Sequence, residues 1–152
     1  MLRFKGRAVL PGAVEGRALV TRRGFNTYAS FFNSIHENAG KAVCADSGNP
    51  DLFGKNLADR IVCLPGTTGS TSSGAVWQRL ANWGITPQAM LFSRSIDPLA
   101  AGGLVVADIW GGKRIVTIDR LGTDFLKSVK NGDTIHVSAK GEVIVLGVSS
   151  EE

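Results

Sequence analysis

Asp59-Arg60-Ile61-Val62-Cys63-Leu64-Pro65-Gly66-Thr67-Thr68-Gly69-Ser70-Thr71-Ser72-Ser73-Gly74 decides the fold, because in it an apolar strand runs straight into a loop of glycines and hydroxyls. The period then changes. Ala75, Val76, Leu80 and Trp83, with Gln78 and Arg79 between them, fit a helix that closes at Gly84, where glycine accepts a left-handed cap at no steric cost. Strand, loop and helix form one unit.

A second unit is expected after it: a strand over Ala89–Phe92, a short helix start over Ser95–Ala100, and another strand over Leu104–Ala107. Ile115-Val116-Thr117-Ile118 reads as a further buried strand after the Gly111-Gly112 turn, and residues 124–129 as a short helix. Asn131-Gly132-Asp133 precedes Thr134–Val137, which pairs with residues 142–146 as a C-terminal hairpin. Toward the N-terminus, residues 4–10 and 16–21 are strand-like and flank Pro11-Gly12, so a second hairpin is expected there. Residues 22–56 have weak periodicity and several aromatics, among them Phe25, Tyr28, Phe31 and Phe32, and read as a long loop-rich insertion with one helical turn, the kind of loop that covers a site. The expectation is a single α/β domain over residues 1–152, with a mixed central sheet, helices between strands and hairpins at both ends.

The composition excludes several classes. At 43% hydrophobic and 20% charged, with 19 glycines, the chain is globular rather than disordered. Its net charge of +4 is modest and its cations are scattered, which argues against binding a nucleic acid backbone. No apolar run reaches the length of a membrane span, and Met1–Gly6 lacks the features of a secretory signal, so a cytoplasmic protein is expected. Cys44 and Cys63 form no CxxC pair; Cys63 reads as core. His36 and His136 have no second histidine at ligand spacing.

The chemistry is concentrated in Pro65–Gly74, which holds three glycines and six hydroxyl residues. Glycine lets the backbone approach a ligand, and the free N–H groups of the following helix point at any anion placed before them. A hydroxyl desolvated beside such donors has its alkoxide form stabilised and can accept a proton. The structural alternative is that Ser and Thr only cap the helix. No lysine follows the last glycine and GxGxxG is missing, so neither a Walker loop nor a dinucleotide fingerprint is present. Arg94 follows the second strand, where α/β folds present ligand groups; Asp97 there is either a ligand group or the N-cap of a helix with Pro98 at its first position.

The order Gly6-Arg7-Ala8-Val9-Leu10-Pro11-Gly12, Glu15-Gly16-Arg17-Ala18-Leu19-Val20, Leu64–Gly74 and Asp97-Pro98-Leu99-Ala100-Ala101-Gly102-Gly103-Leu104-Val105-Val106-Ala107 resembles the small subunit, or swivelling domain, of aconitase X. The resemblance runs from about Phe4 to Leu146. It implies a swivelling β/β/α domain docked on a large subunit that carries an iron or iron–sulfur centre, this chain binding no metal itself. It implies a hydro-lyase that dehydrates a small hydroxy acid, inactive without that partner; the composition already argues against a nucleic acid or membrane partner.

By motif position the catalytic serine of the family is Ser70; Gly69, Thr71, Ser72, Ser73, Arg94 and Asn26 are the substrate-binding candidates. The family loop commonly reads Gly-Arg-Gly-Ser, and here Thr68 stands where the arginine is common. That shifts the expected cation to Arg94 or to a partner residue. With no lysine in the loop, cis-3-hydroxy-L-proline is the expected substrate and mevalonate 5-phosphate the alternative. Swivelling domains also serve as phosphocarriers, but those carry a loop histidine, which Pro65–Gly74 lacks. A non-catalytic module is the third reading.

Overall fold

The computed structural model describes residues 1–37, 40–68 and 73–147, apart from the side chain of Ser73. Two stretches of chain that change partners halfway along set its architecture. In β3 (Val14–Val20), Val14–Arg17 lie antiparallel to β9 (Thr134–Val137), whereas Ala18–Val20 lie parallel to β5 (Ile61–Leu64). The N-terminal stretch does the same: β1 (Leu2–Lys5) pairs with β10 (Glu142–Gly147), and β2 (Arg7–Leu10) pairs with β8 (Val116–Asp119). With β7 (Ala89–Phe92) between β5 and β8, the order is β1-β10-β9-β3-β5-β7-β8-β2. Because β1 and β2 are consecutive in the chain, the sheet nearly closes on itself.

The expected N-terminal hairpin is therefore absent, since β2 and β3 pair with other strands and Pro11-Gly12 carries the chain across rather than back. The C-terminal hairpin of β9 and β10 is present.

Side-chain alternation turns this sheet into layers. Ile61, Cys63, Ala89, Leu91, Val116 and Ile118 face a core shared with Ile135, Val137, Val143 and Val145. Val62, Leu64, Met90 and Phe92 point the other way, onto Trp77 and Leu80 of α3 (Ser73–Trp83) and Leu104 and Ala107 of α4 (Pro98–Trp110). Strands covered on both faces must be apolar at every position, which is why β5 and β7 read as unbroken hydrophobic runs. The result is the expected β/β/α arrangement. Helix α5 (Thr123–Ser128) adds Phe125 and Leu126 to the β/β core, where Phe125 meets Phe4 edge-on at 5.3 Å.

Leu104–Ala107 is not a strand but the middle of α4. Asp97 caps this helix and Pro98 opens it, and Leu104 and Ala107, three apart, turn inward while Val105 stays exposed. The misreading has a physical source: α4 also exposes Ile109 and Trp110, and a helix apolar on most sides shows no period. The expected α3, its left-handed stop at Gly84 (φ 71°) and α5 are all present.

The 22–56 segment holds more structure than one turn: β4 (Phe25–Asn26), α1 (Thr27–Ser30) and α2 (Phe32–Glu37). Phe25, Phe31, Leu52 and Leu57 are buried and extend the helix-side core, with Phe31 against Trp77 at 5.2 Å, while Phe32 and Tyr28 remain exposed. Cys44 is buried in this segment and Cys63 in β5; both thiols are free, and burial pushes both toward higher pKa.

Candidate functional site

Three parallel strands, β5, β7 and β8, end at the same edge of the sheet, and the candidate residues collect there. Beyond β5 the chain makes β6 (Thr67–Thr68), which pairs in parallel with β4, so that Thr67 lies beside Phe25 and Thr68 beside Asn26. The Phe25 N–H donates to the Gly66 carbonyl at 2.9 Å. The approach is close: a Cβ on Gly24 would fall 2.4 Å from Thr68 Cγ2. The insertion thus grips the first half of the hydroxyl loop. Gly69, Ser70, Thr71 and Ser72 lie outside the described residues, as does the side chain of Ser73, the first residue of α3.

Thr67 is fixed from a second side. Its hydroxyl donates to Asp97 Oδ2, while Asp97 Oδ1 accepts the Ala100 N–H at 2.9 Å. Partial burial alone would raise the Asp97 pKa; the hydrogen bonds from Thr67 and from the Ala100 and Leu99 amides outweigh it and hold the carboxyl below the usual carboxylate range. Of the two roles open to Asp97, the N-cap is the one it fills, and it adds an anchor for the loop that the sequence reading did not foresee.

Arg94 is exposed, and its side chain has no hydrogen-bond or ion-pair partner among the described residues. Its backbone is pinned: its N–H reaches the Pro65 carbonyl at 3.4 Å, and its own carbonyl accepts the Arg120 N–H at 3.0 Å. Asn26 spends its Oδ1 on the Ala29 N–H at 3.0 Å as the N-cap of α1, and is half-buried beside Thr68.

Behind these residues sits a pair that sequence reading missed. Asp119, fully buried at the end of β8, takes a two-pronged contact from Arg7 (Nε 3.0 Å, Nη2 2.7 Å) and also accepts the Ile96 N–H at 2.8 Å. It ties the 94–97 turn to two strands. With partners 112 residues apart, no local pattern could have revealed it. Among the described residues, no three His, Cys, Asp or Glu side chains gather to hold a metal. No helix of the described residues is long and apolar enough to cross a membrane.

Comparison with known proteins matches this frame along its whole length. Residues 3–146 fit the family described as the aconitase X swivel domain. The phosphomevalonate dehydratase small subunit of Methanothrix thermoacetophila is 32% identical over 145 residues, 95% of each chain. That of Thermococcus sibiricus is 30% identical over 95% of this chain and 98% of its own. The holo-form crystal structure of Thermococcus kodakaraensis aconitase X superposes with a TM-score of 0.78 over 96% of this chain and 99% of that one, at 24% identity, and so shares the fold. With a family match over nearly every residue and relatives aligned end to end, this chain belongs to the aconitase X swivel-domain family, a family of hydro-lyase subunits.

Proposed function

We propose that this chain works with a large subunit to remove water from a small hydroxy acid, and that Ser70 is the base. The observation that carries the reading is the anchoring of the hydroxyl loop: β6, which ends two residues before Ser70 in the sequence, is held by β4 on one side and by Asp97 on the other, at the shared edge of parallel strands. That placement lets a serine be presented from a rigid base to a site completed by a second polypeptide.

In this reading Ser70 takes the proton from the carbon next to the carboxylate as the hydroxyl on the adjacent carbon leaves as water. Gly69 and the groups of Thr71, Ser72 and Ser73 hold the carboxylate, and Arg94 gives the substrate the cation that the loop itself lacks; Asn26 borders the site beside Thr68. An iron or iron–sulfur centre, which we place on the large subunit, would polarise the departing hydroxyl when bound. Two buried, unpaired thiols suit a reducing cytoplasm.

Mevalonate 5-phosphate is the substrate we put first, ahead of the hydroxyproline expected from the loop, because the relatives aligned end to end carry phosphomevalonate in their names. cis-3-Hydroxy-L-proline stays as the second reading on one observation, the absence of lysine and arginine from Pro65–Gly74. Both carry the hydroxyl on the carbon next but one to the carboxylate, so one mechanism serves either. The test is the complex reconstituted with the large subunit and assayed on both acids. Ser70→Ala should lower turnover by roughly 10³-fold, in the range of a lost general base, while the subunits still co-purify. Full turnover in that variant refutes the assignment of the base.

A further inference from the structure

A cleft of about 150 Å³ opens at the sheet edge that bears the hydroxyl loop, on the side of α5. Its lining includes Arg22, Pro65, Ser93, Arg94, Thr123 and Lys127, so three cations and two hydroxyls meet there, and no carboxylate is among the described lining residues. None of the three cations makes a side-chain ion pair among the described residues. The Arg22 guanidinium donates to the carbonyls of Leu126 (2.9 Å) and Val129 (3.4 Å), neutral acceptors that orient it without cancelling its charge. The Asp51 carboxylate accepts the Arg22 backbone N–H and the Thr21 hydroxyl, both at 3.0 Å, and makes no ion pair with the Arg22 guanidinium. Arg94 and Lys127 have no side-chain partner among the described residues. Ser93 is buried, and its backbone is locked to β5 by donation to the Leu64 carbonyl at 3.0 Å.

Three like charges held around one small cleft repel one another unless an anion sits between them. An anion with several acceptor oxygens satisfies them best, and guanidinium and ammonium groups with flanking hydroxyls are the usual partners of phosphate. We propose that this cleft is a phosphomonoester subsite, in which Arg94 and Lys127 hold the phosphate of the substrate while its carboxylate end reaches the hydroxyl loop, which begins at Pro65 on the rim. The assignment rests on the phosphorylated-substrate reading above. It also supplies the charge missing where Thr68 replaces the arginine common in the family loop.

The experiment uses the reconstituted complex and Lys127→Glu, a change at an exposed side chain that removes nothing from the core. KM for mevalonate 5-phosphate should rise about tenfold or more, as for the loss of one charge-assisted contact, with a much smaller change in kcat. Binding of inorganic phosphate to the complex, followed by ³¹P NMR, should weaken in parallel, and further in Lys127→Glu/Arg94→Gln. If mevalonate 5-phosphate is turned over with the same KM in wild type and Lys127→Glu, the substrate reading stands and the cleft assignment fails. If mevalonate 5-phosphate is not turned over, yet phosphate binds the wild type and not the double variant, the cleft assignment stands and the substrate reading fails. Absence of phosphate binding to the wild type overturns the cleft.

Discussion

Asp97 does two jobs with one carboxylate: Oδ1 closes the first turn of α4 and Oδ2 takes the Thr67 hydroxyl. The cap was legible from Asp97-Pro98, because that pair fixes both an acceptor and a helical φ at a helix start. The bond to Thr67 was not, since it depends on where β6 comes to rest 30 residues away in sequence. Asp97→Ala should cost about 1 kcal/mol at neutral pH, the usual worth of a cap. The folded carboxyl titrates below its unfolded value of about 3.9, so its contribution is complete above that pH and is lost as pH falls through the folded value. The stability gap between wild type and Asp97→Ala, measured by urea unfolding, should therefore narrow as pH drops below about 4. A gap that stays constant with pH would mean that the negative charge contributes nothing. Asp97→Asn, which keeps a capping oxygen but no charge, should lose the pH-dependent part alone.

At the scale of elements, period and chemistry were readable in the unbroken apolar run of β5, at the glycine stop of α3 and in the alternation of β9–β10. They failed at α4, whose apolar surface continues outward to Ile109 and Trp110, and in the 22–56 segment, where Phe25 and Phe31 are core but Phe32 and Tyr28 are not. No one-dimensional period separates those pairs. The β4–β6 pairing is the consequence that matters most, since it makes the insertion a clamp on the hydroxyl loop. Gly24→Ala would drive a methyl to within 2.4 Å of Thr68 Cγ2, a stiff β-branched group with little room to turn away. The clamp should spread, and turnover of the complex should fall several-fold, with the unfolding free energy falling by only about 1 kcal/mol, the low end of the cost of overpacking. Thr68→Ser removes that Cγ2, so Gly24→Ala/Thr68→Ser should recover most of the activity. If the double variant is no better than Gly24→Ala, the two residues are not coupled and the clamp does not position the loop.

Closure of the whole sheet could not be seen in the sequence, because it is made by residues from both ends of the chain: β1 joins β10, β2 joins β8, and Gly6 is the hinge between them. Gly6 is there for want of space. A Cβ would lie 2.4 Å from the Asp119 carbonyl oxygen and 2.6 Å from Ile118 Cγ2, and the first of these is backbone that cannot swing aside. Gly6→Ala should therefore cost about 1–3 kcal/mol, the range for forcing a methyl into packed structure. The three tryptophans, Trp77, Trp83 and Trp110, all lie in helices on the opposite side of the sheet from the β/β core, so their fluorescence reports a layer that Gly6 does not touch. In a domain that unfolds as one unit, the tryptophan-detected urea midpoint falls by the same amount as the midpoint from circular dichroism, with the slope unchanged. A tryptophan transition left in place while the dichroism shifts would show that the closing strand and the helix layer unfold separately. The sheet would then be no single barrel-like body but two, joined where β3 and the Gly6 stretch pass from one to the other.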